Sequence, residues 1–266
     1  MREQYQLSAR KACTLVKLSR SVYRYIPQPS QDGEVIDALN RLAEQHPRLG
    51  FGKYFPLLRK QGHPWNHKRV YRVYCALGFN LKRRTRKRLP SRAPQPLTVV
   101  AAANQCWSMD FMSDALYSGR RFRSLNIVDD FNREALAIDI DFSLTAERVV
   151  RILERIVAER GYPQAIRVDN GPEFISFTLA TWAEKHHVQL KFIQPGKPTQ
   201  NSYIERFNRS FRYEVLSYYV FDSINQAREI AYQWLIQYNE VRPHEALNNL
   251  TPNEFLVQSK LPLQLA

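Results

Sequence analysis

The sequence predicts an α/β protein in which a small, basic, all-helical region precedes a larger region of mixed strands and helices. The charge is segregated, because residues 1–109 hold 21 Lys and Arg against 5 Asp and Glu, whereas residues 110–266 hold 18 against 20. Apolar residues change from helical spacing to strand alternation near residue 104. A stretch dense in Lys and Arg, followed by prolines, separates the two parts at residues 82–103.

The composition excludes several classes of protein. Hydrophobic residues make up 44% of the 266 residues, so the chain can bury a core. No apolar run approaches the roughly 18 residues that span a bilayer, and the first residues lack a secretion signal. The cysteines Cys13, Cys75 and Cys106 are odd in number and scattered, which favours packing over disulfides or zinc. We therefore expect a soluble cytoplasmic protein, associated with the nucleoid and not with a membrane.

The basic region predicts DNA binding. A positive block of this size favours a phosphate backbone as partner, and a solvated basic surface is the alternative. Two short helical patterns, Ser8 to Val16 and Ser19 to Tyr25, indicate a segment like a helix-turn-helix at residues 1–33. Further helical patterns predict a helical DNA-binding module at residues 34–81.

The last helix of that module begins after Asn66, a favourable capping residue. We expect it to direct Lys68, Arg69 and Arg72 outward, either to DNA or as solvated charges over packed stems. The linker 82–103 is either a phosphate clamp or only a charged tether. Its candidate DNA contacts are Arg83, Arg84, Arg86, Lys87 and Arg88.

The region from residue 104 to 266 begins with three predicted strands, about 107–112, 122–128 and 134–142, which form a meander. In the third strand, alternation predicts one shared face for Leu136, Ile138, Ile140 and Phe142. Asp110 lies in the middle of the first strand. A helix at 146–160 follows, and then a short strand that ends at Asp169, where open α/β sheets place their ligands.

A helix near 177–186, a strand near 188–192 and a helix from about 200 to 218 come next. Glu205 lies beside the apolar stripe of the helix from about 200 to 218. A last helix begins at the capping box Ser223-x-x-Gln226. This order of strands and helices suits a ribonuclease-H-like fold.

Three motifs carry a specific resemblance. WSMDF, VDNGPEF and QNSYIERFNRSFR place 35 residues between Asp169 and Glu205. This spacing resembles the Asp, Asp, 35-residue, Glu pattern of retroviral integrases and related DDE transposases. The tail YNEVRPHEALNNLTPNEF resembles the end of that domain in bacterial insertion-sequence transposases encoded by a second reading frame. The His and Cys pairs of zinc-bearing integrases are missing, so no structural zinc is implied.

The resemblance implies that Asp110, Asp169 and Glu205 are the catalytic, metal-binding carboxylates and that Arg212 takes the place of a basic residue seven positions after the glutamate. Carboxylates suit hard cations, and two Mg²⁺ ions, or Mn²⁺ in their place, serve phosphodiester cleavage and transfer. The alternative is three unrelated surface acids, with Glu205 paired to Arg209 one turn later.

The residues around Glu205 are further candidates for DNA contact, with pairing on the protein surface as the alternative. They are Lys197, Asn201, Asn208, Arg209 and Arg212. Asp129 and Asp130 approach the site or merely end a strand. Glu173 either caps or orients the loop after Asp169 or binds the metal directly.

The function that the resemblance implies is that of a DNA transposase, which binds the element's terminal inverted repeats, cleaves a strand and joins the 3′-hydroxyl to target DNA. We expect a homo-multimer on double-stranded DNA, and an upstream-frame protein or frameshift fusion as a further partner. Two alternatives are a metal-dependent nuclease that only hydrolyses DNA and a DNA-binding regulator derived from a transposase.

Overall fold

The computed structural model describes residues 6–26, 32–80, 100–194 and 198–260. The predicted contacts in the linker, and Lys197 in the loop before the helix of Glu205, lie outside these residues. No helix in the described ranges is both long and apolar enough to cross a membrane. All three cysteines are free thiols, as the sequence predicts.

Two short helices begin the described chain. They are α1 (Ala9–Leu15) and α2 (Arg20–Tyr23). The hydroxyls of Ser8 and Ser19 cap them by accepting hydrogen bonds from backbone N–H groups three residues later.

Three helices then form a module with its own core. They are α3 (Gly33–Gln45), α4 (Phe51–Lys60) and α5 (His67–Ala76). The carboxamide of Asn66 caps α5 by accepting from the N–H of Lys68 at 2.8 Å, which confirms the predicted cap. Val35, Leu39 and Val70 are completely buried where the three helices meet. The module is thus held by apolar burial.

A five-stranded sheet forms the centre of the second region, in the order β3-β2-β1-β4-β5. The strands are β1 (Cys106–Ala115), β2 (Arg121–Asp129), β3 (Ala135–Asp141), β4 (Ala165–Val168) and β5 (Gln189–Phe192). The first three form the predicted antiparallel meander, and β4 joins β1 in parallel. The predicted α/β sheet is confirmed.

Helices cover both faces of this sheet. They are α6 (Ala146–Arg160), α7 (Phe177–Lys185), α8 (Ser202–Phe211), α9 (Ile224–Glu240) and α10 (Pro252–Lys260). Trp107 and Met109 of β1 pack with α6 and α7 on one face. Ile204 and Phe207 of α8 pack with α9 in a second apolar cluster. Alternation along β1 therefore directs Trp107, Met109 and Phe111 to the first cluster, while Asp110 and Met112 lie on the face toward α8.

Two predicted details were wrong. Leu136 does not share a face with Ile138 and Ile140, because the β2–β3 register shifts so that Leu136 is passed over between Ala135 and Ala137. The predicted single helix from 200 to 218 is three segments: a 3₁₀ turn, α8 and a π-helical turn at Arg212–Leu216. Hydrophobic spacing alone does not distinguish these closely related helical forms.

The three-helix module contacts the sheet region through charged side chains. Arg48 lies over the rings of Tyr213 and Tyr218, at 5.1 and 4.6 Å from their centroids. Lys53 of α4 pairs with Glu245 at 3.7 Å, and Lys60 pairs with Glu254 of α10.

Candidate active site

Strand register brings Asp110 and Asp169 to the same place on the sheet. Asp110 lies mid-strand in β1, and Asp169 follows the last residue of β4. Ser108 of β1 pairs with Arg167 of β4 in parallel register. Two residues further along each strand, the same register sets Asp169 beside Asp110 on the same face.

Glu205 reaches this face from α8, which packs against β1 and β2. It lies in the first turn of α8 and is exposed. The alternative in which it pairs with Arg209 is not supported, since the described residues contain no ion pair between them.

Asp110 has two neutral donors and two like charges near it. Its carboxylate accepts hydrogen bonds from the N–H of Phe111 at 2.7 Å and from the amide of Asn208 at 2.8 Å. Burial raises the pKa of Asp110 to about 6, and the negative charges of Asp169 and Glu205 add to the rise against those two hydrogen bonds. A bound cation would relieve this repulsion.

The turn after β4 holds Asp169 by its backbone. The N–H of Gly171 donates to the Asp169 carboxylate at 2.9 Å. A Cβ atom at residue 171 would lie 3.0 Å from that same oxygen, so glycine permits the close approach. Glu173 pairs with Arg123, which lowers the pKa of Glu173, and this pair ties the turn to β2. Glu173 therefore orients the loop, one of its two expected roles.

The three carboxylates supply the oxygen ligands that hard cations prefer. A cation would also offset the negative charge that Asp169 and Glu205 place near Asp110. The three carboxylates lie further apart than the ligands of an occupied metal site. Across the described ranges, no three His, Cys, Asp or Glu side chains are gathered closely enough to hold an ion. Mutual repulsion of carboxylates accounts physically for such separation.

Other predicted contacts are buried or paired within the protein. Asn208 and Asn201 are buried, with 8% and 3% exposure. Asn208 also accepts from the amide of Asn126 at 2.7 Å and so joins α8 to β2 as well as to Asp110. Arg212 pairs with Asp114 at 2.8 Å, whereas Arg209 is exposed.

The basic helix α5 shows a similar division. Arg69 and Arg72 bind the two carboxylate oxygens of the buried Asp32 at 2.9 and 2.6 Å. Lys68 is exposed. Arg69 and Arg72 therefore join the first and last helices of the module, and Lys68 faces solvent as predicted.

The roles of two residues near the site were not predicted from the sequence. Asn126 is completely buried and pairs in register with Asp110 across β1 and β2. Asn208 is the bridge between them, although the sequence suggested a surface role. The signal for Asn126 was its place within an apolar strand, where asparagine is disfavoured.

Asp129 and Asp130 form a separate polar network at the other end of the strands. Asp130 accepts from the Ser108 hydroxyl at 2.6 Å and from Arg167 at 2.8 Å. Asp129 accepts from the backbone N–H groups of Asn104 and Phe131, each at 2.8 Å. Both aspartates therefore stabilise the strand ends, which was one of the two readings that the sequence left open.

Comparisons with known proteins place the chain among integrase-core and insertion-element proteins. Residues 100–198 and 186–252 match two models described as an integrase core domain, and residues 30–88 match an HTH-like domain. The insertion element IS407 uncharacterized 31.7 kDa protein of Burkholderia multivorans is 43% identical over 98% of this chain and 94% of its own length. The transposase InsD for insertion element IS2A/D/F/H/I/K of Escherichia coli is 26% identical over 86% of this chain and 80% of its own.

A solved structure supports the fold. The simian T-cell lymphotropic virus intasome in complex with PP2A regulatory subunit B56 gamma contains a chain with a TM-score of 0.54 and 17% identity. The match covers 86% of this chain and 76% of that one. The predicted ribonuclease-H-like integrase fold is thereby confirmed, and the chain belongs to the family of bacterial insertion-sequence transposases of the second-reading-frame type.

Proposed function

We propose that this transposase cleaves a DNA strand at the ends of its insertion sequence and joins the resulting 3′-hydroxyl to target DNA, using Asp110, Asp169 and Glu205. One observation carries the proposal: Asp110 is partly buried, it feels the charge of both other carboxylates, and no cation in the described part of the chain neutralises the three. Uncompensated carboxylates on one face of an integrase-type sheet suit a metal-dependent site.

The three carboxylates would hold Mg²⁺, with Mn²⁺ as a substitute, and two ions per site fit this chemistry. When bound, such ions activate the attacking oxygen and stabilise the leaving oxygen of a phosphodiester. The protein's own contribution is orientation. Asn208 and the N–H of Phe111 fix Asp110, and the N–H of Gly171 fixes Asp169.

The HTH-like match at residues 30–88 supports DNA binding by the helical module. We assign this role to residues 34–81, preceded by the segment 1–33, and assign catalysis to residues 104–266 beyond the linker 82–103. Since one described chain offers one set of three carboxylates, breakage at two DNA ends favours a homo-multimer. Exposed Lys68 and Arg209 are candidates for phosphate contacts.

The test is strand joining by the purified protein on a labelled duplex that ends in the element's own terminus, with Mg²⁺ or Mn²⁺. The wild type is compared with Glu205→Gln and with Glu240→Gln, which removes an exposed carboxylate at the end of α9. We expect metal-dependent joined product from the wild type and from Glu240→Gln, and none from Glu205→Gln.

Three other results would contradict the proposal. Cleavage without joining would indicate a hydrolytic nuclease. Tight DNA binding without either reaction, in a protein fused to its upstream-frame partner, would indicate a regulator. Equal activity of Glu205→Gln and the wild type would remove Glu205 from the site.

A further inference from the structure

A cationic cavity lies beside α8, where Val128 of β2 and Phe207 of α8 form part of its lining. It has a volume of about 190 Å³ and collects side chains from four separate places in the fold. Lys53 comes from α4, Arg133 from the turn between β2 and β3, Arg206 from α8, and Arg242 from the segment after α9. None of these residues belongs to the carboxylate site.

The positive charge of this cavity is only partly neutralised. Glu214 binds Arg242, and Glu245 lies 3.7 Å from Lys53 with its side chain 65% exposed. Arg133 and Arg206 form no ion pair within the described part of the chain. Four cations are therefore met by two carboxylates, and one of those two is largely in water, where its charge is screened.

Arg133 has an unfilled donor at this place. Its Nη1 atom is buried and has no hydrogen-bond partner among the described residues. Its guanidinium lies 3.5 Å from the centroid of the Tyr203 ring, so one face is packed while Nη1 remains unsatisfied. A buried N–H group without a partner is costly, and an oxyanion is the ligand that would satisfy it.

The neighbouring titratable groups respond to this excess of charge. Burial lowers the pKa of Lys53, and the charges of Arg242 and Arg206 lower it further against the opposing effect of Glu245. Burial lowers the pKa of His244 to about 3, and Arg242 and Lys53 add to the shift. His244 is thus neutral near pH 7, while an anion in the cavity would offset the repulsion among the remaining cations.

We propose that this cavity is a phosphate-binding site, lined by Lys53, Arg133 and Arg206, that joins the helical module to the catalytic helix. The phosphate belongs to a DNA backbone, because Lys53 lies within the HTH-like match and Arg206 directly follows Glu205. A phosphate here would fix the DNA relative to α8 without reading its bases. Only the assignment of the phosphate to a DNA backbone depends on the proposed function. The phosphate site itself does not.

The first experiment measures unfolding of the full chain while inorganic phosphate is titrated against chloride at constant ionic strength. Phosphate stabilises folded proteins in general, so the readout is the difference between variants. We expect Arg206→Gln and Arg133→Gln to raise the phosphate concentration for half-maximal stabilisation about tenfold, which corresponds to loss of one charge-assisted hydrogen bond. Arg206→Lys should retain most of it. Arg151→Gln, which removes an exposed charge of α6, should behave as the wild type.

The second experiment compares the salt dependence of binding to a terminal DNA duplex. Loss of one phosphate contact lowers the slope of log K against log salt by about 1, and we expect this for Arg206→Gln but not for Arg151→Gln. If Arg206→Gln weakens stabilisation by phosphate but leaves the slope of log K against log salt unchanged, the phosphate does not belong to DNA. The ligand would then be a free phosphate compound. An equal phosphate response in all the folded variants would overturn the site. Neither outcome affects the joining assay with Glu205→Gln.

Discussion

The same sheet carries two groups of acids, and they differ in their partners. At one end Asp130 binds the guanidinium of Arg167 and the hydroxyl of Ser108. Nearer the middle, Asp110 has two neutral donors and two carboxylates around it. Burial raises the pKa of both aspartates, but Arg167 opposes the rise at Asp130, whereas Asp169 and Glu205 add to it at Asp110. The comparison teaches that the absence of a compensating cation, more than burial, distinguishes a candidate ligand site from a structural one.

The largest expected effect is on catalysis at Asp110. Asp110→Asn removes one ligand and should reduce strand joining on the order of 10³-fold or more, as loss of one essential group does. The free energy of unfolding in metal-free buffer should stay the same or rise, because the substitution removes repulsion. Joining assays and urea unfolding on the same preparation measure both quantities. A large loss of stability with unchanged activity per folded molecule would mean that Asp110 is a structural residue and not a metal ligand.

Asp130→Asn should show the opposite pattern. The substitution leaves Arg167, whose side chain is 11% exposed, without its anion. Breaking a buried pair in this way costs about 3 kcal/mol of unfolding free energy. Activity per folded molecule should be retained. Asp139→Asn is the control, because Asp139 pairs with Arg155 and Arg148, whose side chains are 62% and 33% exposed, and it should lose about 1 kcal/mol or less.

The two sites should also separate by pH. The pKa of Asp110 is about 6 in the folded protein, above its ordinary value of 3.8, so the folded carboxyl holds its proton more tightly than the unfolded one. Its contribution to stability is fully present below about pH 4 and is lost as the pH rises through 6. After allowance for solvent, the loss is about 2 kcal/mol. We expect the wild type to lose this much relative to Asp110→Asn between pH 4 and 7.

Metal addition provides the control for that pH experiment. Mg²⁺ at pH 7 should restore stability to the wild type and much less to Asp110→Asn, because a ligand that binds only the folded state stabilises it. Equal pH profiles for the two proteins would contradict the raised pKa of Asp110. An equal response to Mg²⁺ would contradict metal binding by Asp110.

Local patterns predicted most of this architecture. Alternating residues around Asp110 indicated a strand, and a capping residue at Asn66 indicated the start of α5; both are confirmed. The partners of Asn208 and Arg167 could not be predicted in the same way. The partner of Asn208 depends on where α8 packs against the sheet, and the partner of Arg167 depends on the strand order that sets β2 and β4 on either side of β1. The two contacts join residues 82 and 37 positions apart. Sequence periodicity shows which face a residue occupies but not which residue it meets across the sheet.

Asn208 offers the finest test of the comparison, because its amide is the one side-chain donor to Asp110 in the described residues. Asn208→Ala should raise the Mg²⁺ concentration for half-maximal joining about tenfold, since Asp110 keeps only the N–H of Phe111 to orient it. Asn239→Ala is a matched control. Asn239 is 7% exposed against 8% for Asn208, and it bonds to the backbone of Ala135 at the edge of the sheet. Both variants should lose stability, but only Asn208→Ala should shift the metal requirement. An equal shift in both would mean that loosening the fold, and not the orientation of Asp110, governs the use of metal.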